Sequence, residues 1–338
     1  MIKGFDYSPV VEDIFQEQEI WAQRIKCTNI QELNEAVKKG YASGYILISE
    51  ALQERKIASI ADRVAQHPDI KIILIAGPSS SGKTSFTQRL RVQLGVDAIG
   101  SEFLSMDNYF VEREHNPKNA DGSYNFDTPD SVDRELFNQQ LQQLVNLEKV
   151  QIPRFDFLTG HKEYTGQTIQ LDEHKVLIVE GIHALNPEMT DKIPAKNKLC
   201  IYITALNPLD LPDGTNVNPA DVRLIRRIVR DNQYRGFTAR QTLDLWQAVR
   251  EGEMRYIYPN AYNADVVVNT SLIYELSVLK PYVVPLLEPI IEERTYMGDK
   301  ARLLLKMLDE IFEIPIDDIP LTSIMREFVG GSTFKKHL

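Results

Sequence analysis

Short, unbroken apolar runs alternate along the chain with stretches whose apolar positions recur at helical spacing. Lys71-Ile-Ile-Leu-Ile-Ala76 is β-branched and uninterrupted, the pattern of a strand buried on both faces of a parallel sheet. Runs of the same kind recur at 103–106, 176–179, 199–203 and 266–268. Around them, apolar residues separated by charges predict helices over 30–37, 48–65, 84–94, 131–147, 220–233 and 300–312. Strands alternating with helices predict an α/β fold with a parallel sheet. His67-Pro68 breaks the first helical tract, and the pattern is mostly helical again from Glu275. The expected organisation is a mostly helical segment over 1–66, an α/β domain over 67–270, and a helical extension over 271–338.

Composition narrows the picture. The net charge of −10 argues against a general nucleic-acid-binding surface, while leaving room for a local basic pocket. The longest apolar runs are strand-sized, short of the roughly 20 residues needed to cross a bilayer. The first fifteen residues carry Asp6, Glu12 and Asp13 and do not read as a secretory signal. Cys27 and Cys200 lie far apart in no metal-binding spacing, so they read as structural thiols of a reducing, cytoplasmic environment.

One motif carries the chemistry. Gly77-Pro78-Ser79-Ser80-Ser81-Gly82-Lys83-Thr84 satisfies every fixed position of G-x-x-x-x-G-K-[ST], between an apolar strand and a helix. Such a loop turns its N–H groups around a β-phosphate, and the following helix offers its positive end, so 77–85, Ser85 included, are expected to bind a nucleoside triphosphate. Lys83 is expected to reach the β- and γ-phosphates and Thr84 to ligate Mg²⁺.

Phosphoryl transfer also needs a carboxylate near the metal and an acceptor for a hydroxyl proton. Asp107 and Glu180 both end predicted parallel strands, where such groups belong. Asp107 is the candidate base and Glu180 the candidate metal carboxylate. Arg223, Arg227 and Arg230 fall at i, i+4 and i+7, so a predicted helix presents them on one face. Clustered guanidinium groups in an acidic protein suggest a lid over transferring phosphate, with Arg235-Gly236 ending the helix and adding one more arginine.

Five segments together resemble the uridine kinases, within a superfamily shared with phosphoribulokinase. They are Ser105-Met-Asp107-Asn-Tyr-Phe110, Asn125-Phe-Asp127-Thr-Pro-Asp130, Ile152-Pro-Arg-Phe-Asp-Phe157, Val179-Glu-Gly-Ile182 and the 226–231 run, spanning about 70–270. The resemblance implies a P-loop NTPase with a nucleoside-monophosphate-kinase-like parallel sheet flanked by helices. It implies ATP and Mg²⁺ as cofactors, and transfer to a hydroxyl of a nucleoside-like small molecule such as uridine or cytidine. By the same resemblance Asp107 matches the base, Asp127 the carboxylate that holds ribose hydroxyls, and Phe126 the aromatic beside it. Arg227, Arg230 and Arg235 match the arginines around the phosphates. Phe110, Phe157 and His161 fall on the acceptor side.

The flanks are similar to a subgroup whose larger members carry an N-terminal module like that of threonyl-tRNA synthetases. Residues 1–66 and Ser323-Ile-Met-Arg-Glu-Phe-Val-Gly-Gly-Ser332 carry that likeness. Departures from the pattern fall on the acceptor side. The stretch leading to His161 is one residue longer, and phenylalanine stands at 110 where tyrosine is common. Residues 237–246 lack polar groups suited to uracil.

Three readings remain open at this level: a nucleoside kinase, the same chemistry on a polyol or sugar phosphate, and an ATP-binding regulator without transferase activity. Hydrolysis with water as acceptor is disfavoured by the acceptor-binding pair Phe126 and Asp127. A homo-oligomer is expected only weakly, from the helical flanks.

Overall fold

Each of the five apolar runs becomes a strand of one sheet. The computed structural model describes residues 9–118, 122, 124–157 and 159–334, so Asp6 lies outside the described residues. The chain opens with α1 (Pro9–Ile25), α2 (Ile30–Lys38) and α3 (Ala42–Gln66), then β1 (Ile72–Ala76), α4 (Lys83–Val96) and β2 (Gly100–Ser105). After α5 (Arg134–Val145) come β3 (Val150–Gln151), β4 (Arg154–Asp156), β5 (His161–Glu163) and β6 (Thr168–Ile169), which pair antiparallel as β3 with β6 and β4 with β5. Then follow β7 (Lys175–Glu180), β8 (Lys198–Thr204), α6 (Pro219–Tyr234), α7 (Ala239–Gly252), β9 (Val266–Asn269), α8 (Glu275–Leu287), α9 (Tyr296–Asp309) and α10 (Arg326–Val329).

The main sheet is parallel throughout, in the order β2-β7-β1-β8-β9. Its register sets Glu180 opposite both Ser105 and Ile75. The C-terminal ends of the three strands around β1 therefore finish nearly level, and the loops that follow them open on one edge. In parallel sheets this edge is where ligands bind.

Alternation along β1 divides the core. Ile73 and Ile75 face Ile57, Ile60 and Val64 of α3 and Phe86, Leu90 and Leu94 of α4. Ile72 and Leu74 face Phe15 of α1 and Phe137, Leu141 and Leu144 of α5. A third cluster joins α6–α9 to Ile324, Met325 and Phe328 of the C-terminal tail. The boundary near 66 coincides with the end of α3, yet apolar packing runs straight across it. Both helical flanks are built onto the α/β core.

Caps explain where helices depart from the expected ranges. Asp133 accepts the Leu136 N–H, so α5 begins at Arg134 instead of near 131. Thr295 accepts the Gly298 N–H, which starts α9 four residues earlier than its apolar spacing suggests. The α7 helix, unanticipated from apolar spacing, opens on a reciprocal capping box between Thr238 and Gln241. Within it Trp246 is buried beneath the Arg223 guanidinium, 5.5 Å from the ring centre. Among the described residues no helix is long and apolar enough to cross a membrane.

Candidate phosphate and acceptor site

The loop after β1 is shaped by two glycines. A Cβ on Gly77 would stand 2.2 Å from the Ile203 carbonyl oxygen, so no side chain fits where the loop leaves the sheet. Gly82, at φ +85°, is the residue before α4, and Ser80 also adopts a left-handed φ of +58°. Left-handed residues alternating with others turn successive N–H groups into one concavity, the geometry of an anion nest. Lys83 Nζ lies across its mouth, donating to the carbonyls of Gly77 at 2.8 Å and Pro78 at 3.1 Å. The hydroxyls of Ser80 and Ser81 are buried without partners among the described residues.

Two edges of the cradle are tied to distant carboxylates. Ser79 N–H donates to Glu253 Oε1 at 3.0 Å. Ser85 N–H and Oγ–H both donate to Glu327 Oε2, at 3.1 and 2.7 Å.

Thr84 Oγ donates to Glu180 Oε1 at 3.3 Å, joining the helix start to the end of β7. The Glu180 carboxyl is pushed up to about 7. Burial is the main cause, opposed by the Lys83 ammonium and reinforced by the Glu327 and Asp107 carboxylates. Asp107 is also raised, first by burial and then by Asp127, against the pull of Lys83 and Arg235. Water reaches the Asp107 side chain, yet protein surrounds it deeply enough for desolvation to dominate. No group of three or more His, Cys, Asp or Glu able to hold a metal exists among the described residues. The pairing of one hydroxyl with one carboxylate instead suits a divalent ion that keeps waters and takes its other ligands from phosphates. The residues present therefore fit a nucleotide-bound divalent metal, with Thr84 and Glu180 as the groups that could contact it.

The arginine face divides in two. Arg227 Nε, Arg230 Nη2 and Arg235 Nη1 converge on the buried Asp231 carboxylate at 3.1, 2.9 and 3.5 Å. Arg227 Nη1 also donates to Ser79 Oγ at 3.0 Å, fastening α6 to the phosphate loop. Arg223 behaves differently from the single stripe expected. It is 2% exposed, pairs with Glu253 and donates to the Ser79 carbonyl at 2.9 Å. It braces the loop from beneath and does not face its mouth. Arg226, one turn before Arg230 on α6, is fully buried against Glu275 and donates to the carbonyls of Thr270 at 3.1 Å and Ser80 at 3.4 Å.

Phe110 anchors an aromatic group on the other side of Asp107, with ring centres of Phe126, Phe155 and Phe157 at 5.3, 5.6 and 5.8 Å. Phe110 is buried whereas Phe157 is 54% exposed, so the cluster presents an aromatic edge to solvent. Asp127 follows Phe126. Its carboxyl is raised by burial and by Glu253, with Arg227 opposing. His161 stands on β5 and bonds Glu112 Oε2 at 2.6 Å. Asp107, Asp127, Lys83, Glu180 and the three Asp231-bound arginines thus form one electrostatically linked group, and His161 has no described bond to it.

Sequence reasoning missed Glu253, Asp231, Glu275 and Glu327 as residues that hold the site. Asp231 follows Arg230 directly, and a carboxylate inside an arginine run is a readable sign that the run is neutralised internally. The roles of Glu253 and Glu275 carry little local signal, because the contacts that tie them to the site, with Ser79 and Arg226, lie 174 and 49 residues away in sequence. Glu327 sits within a tail noted only for its resemblance.

A strand-loop-helix phosphate cradle, carboxylates ending β7 and following β2, and arginines fastened over the loop define a P-loop kinase. The sequence profile of the Phosphoribulokinase / Uridine kinase family matches residues 72–274. A uridine kinase of Tolumonas auensis is 31% identical over 207 residues, covering 60% of this chain and 87% of that protein. One from Macrococcus caseolyticus is 32% identical over 199 residues, covering 58% and 86%. A D-glycerate 3-kinase from Cryptococcus neoformans aligns in structure at 13% identity and a TM-score of 0.34, over 81% of this chain and 87% of that one. The chain belongs to the phosphoribulokinase/uridine kinase family. It is an ATP-dependent phosphotransferase, of a kind that works with a divalent metal.

Proposed function

We propose that this enzyme transfers the γ-phosphoryl group of ATP to a hydroxyl of a nucleoside, with uridine or cytidine as the expected acceptor. The observation that carries this reading is the position of Asp107. Its carboxylate is in electrostatic range of Lys83 on the donor side and of Asp127 on the acceptor side. A sugar hydroxyl held by Asp127 would stand beside a base and in front of the phosphate cradle at once. The names of the relatives, uridine kinases at about 30% identity, support the nucleoside class.

In this reading the N–H groups of 77–85 hold the triphosphate, and Lys83 swings from its two carbonyls onto the β- and γ-phosphates. Thr84 and Glu180 would hold Mg²⁺, which would supply neutralisation of the phosphate charge. Asp107 takes the proton from the acceptor hydroxyl as its oxygen bonds to phosphorus and the bond to ADP breaks. Burial of Asp107 makes it a stronger base than a solvated aspartate. Arg227, Arg230 and Arg235 exchange part of their contact with Asp231 for the transferring phosphoryl oxygens. Phe110, Phe126 and Phe157 supply an edge against which a pyrimidine can lie. His161 enters only if its bond to Glu112 opens.

Residues 67–270 carry the reaction in this account, and the flanking helices brace it. The likeness of 1–66 and the tail to the subgroup with a synthetase-type module, a cytoplasmic location, and assembly into a homo-oligomer belong to the same proposal.

The deciding experiment offers purified protein and Mg²⁺-ATP a panel of ribonucleosides, deoxyribonucleosides, sugars and polyols, with products read by mass. A phosphorylated pyrimidine nucleoside is the expected result. Turnover confined to a sugar or polyol would overturn the acceptor assignment and keep the phosphotransferase.

A further inference from the structure

The tail from Ser323 to Ser332 has no part in the chemistry above, yet it is firmly built in. Arg326 Nη2 donates to the carbonyls of Ile316 at 2.9 Å and Ile319 at 2.6 Å, holding the short α10 turn against the preceding loop. Phe328 is fully buried, its ring centre 5.2 Å from the Arg226 guanidinium carbon. Gln233 of α6 donates to the Val329 carbonyl at 3.5 Å. Ile324 lies over the phosphate loop, where a Cβ on Gly82 would come within 3.0 Å of its Cγ2.

This anchoring aims one carboxylate. Glu327 Oε2 accepts both the backbone N–H and the hydroxyl of Ser85, in the first turn of α4. Lys83 and Arg235 are within its electrostatic range, and so is the Glu180 carboxylate. The N–H groups of a helix's first turn lack intrahelical partners and favour an anion. In a P-loop they cradle the α- and β-phosphates. A carboxylate oxygen taking two donors there offers them what a phosphate oxygen would. The two anions need the same donors and repel one another, so they cannot both hold Ser85.

We propose that Glu327 is an intrasteric occupant of the donor site: it holds Ser85 while no nucleotide is bound and must release it for the α-phosphate of ATP to bind. This rests on the reading of residues 77–85 as the nucleotide cradle. The tail then acts as a built-in competitor that lowers the apparent affinity for ATP. Because it also grips α6 through Phe328 and Val329, its release loosens the element that carries Arg227 and Arg230.

The test measures ATP binding to the full chain by calorimetry, with Mg²⁺ fixed, for the natural protein and for Glu327→Gln and Glu327→Ala. Glu327 is partly buried, so thermal melting checks that both variants stay folded. Removing one charged competitor for two donors predicts roughly tenfold tighter ATP binding. Hydrogen exchange on the natural protein gives a readout that needs no variant: saturating ATP should speed exchange over 323–330. Variants that bind ATP equally or more weakly, or a tail whose exchange slows or stays unchanged with ATP, would overturn the proposal while leaving the cradle in place. Absence of ATP binding in the natural protein and both variants would sink the cradle reading itself, and this proposal with it.

Discussion

Arg223 and Glu253 form an ion pair at 2.5 Å in which both side chains are at most 3% exposed, and the same carboxylate accepts the Ser79 N–H of the phosphate loop. A pair buried this deeply contributes little as a pair, but breaking it strands a charge. The chain spends a π-helical turn, Glu253–Ile257, to carry the glutamate there at the end of α7. Glu253→Ala should therefore destabilise the protein by about 3–5 kcal/mol, measured by urea unfolding. Glu253→Gln keeps an acceptor for Ser79 and should lose less. Burial tends to raise the Glu253 carboxyl, but Arg223 and Arg250 outweigh it and the net shift is downward. Its stabilising contribution is then present above the ordinary glutamate range and fades as pH falls through the lowered value. A Glu253→Ala protein whose unfolding midpoint matches the natural one would show that the loop does not depend on this brace.

Asp107 and Asp127 should separate kinetically. Asp107→Asn removes the proton acceptor and predicts a loss of about 10²–10⁴ in kcat with ATP affinity retained. Asp127→Asn touches the acceptor and should raise its KM more than it lowers kcat. Steady-state kinetics with the acceptor from the screen, beside direct ATP binding, reads both. Full turnover in Asp107→Asn would remove Asp107 from the role of base.

Glu180 should give up a proton when metal-nucleotide binds. Its carboxyl is raised to about 7, so its neutral form favours the folded chain fully below the ordinary glutamate value, and that contribution is lost as pH rises through about 7. A divalent cation binds the carboxylate, so Mg²⁺-ATP binding near pH 7 should release about half a proton. Calorimetry in buffers of different ionisation enthalpy would show it, and the difference should vanish in Glu180→Gln. Buffer-independent heats in the natural protein would contradict the assignment.

Both thiols should be inert in the native protein. Burial raises Cys27 to about 12, with Glu32 adding to the shift. Burial and Asp265 raise Cys200 to about 11 against Lys198. Thiolate is the reactive form. A disulfide reagent at pH 8 should therefore titrate neither thiol before unfolding, and both in denaturant. Rapid native labelling of one would show that its segment opens locally.

Much of the site could be read in advance because its signals are local. The strand ending at Ala76 announces itself by unbroken β-branched residues, and the cradle by spacing that no other local structure requires. Asp107 and Glu180 stood out because each follows an apolar run, and the register of β1, β2 and β7 puts both beside the loop. The arginines were harder. Helical spacing puts Arg223, Arg227 and Arg230 on one face, but that face runs from the interior to the cleft. Which end is covered depends on α7, a helix that apolar spacing did not reveal.

The sequence by itself determined the sheet, the cradle and the chemistry they imply, because a buried parallel strand and a phosphate nest each demand particular residues at adjacent positions. Tertiary structure alone decided that Glu253 braces Ser79, that Asp231 gathers three arginines at once, and that Glu327 closes on Ser85 from 242 residues away. A carboxylate carries no mark of its future partner. Its meaning comes from which cation or N–H the folded chain sets within 3 Å of it, and hydrogen bonds at that range depend on the packing of whole helices.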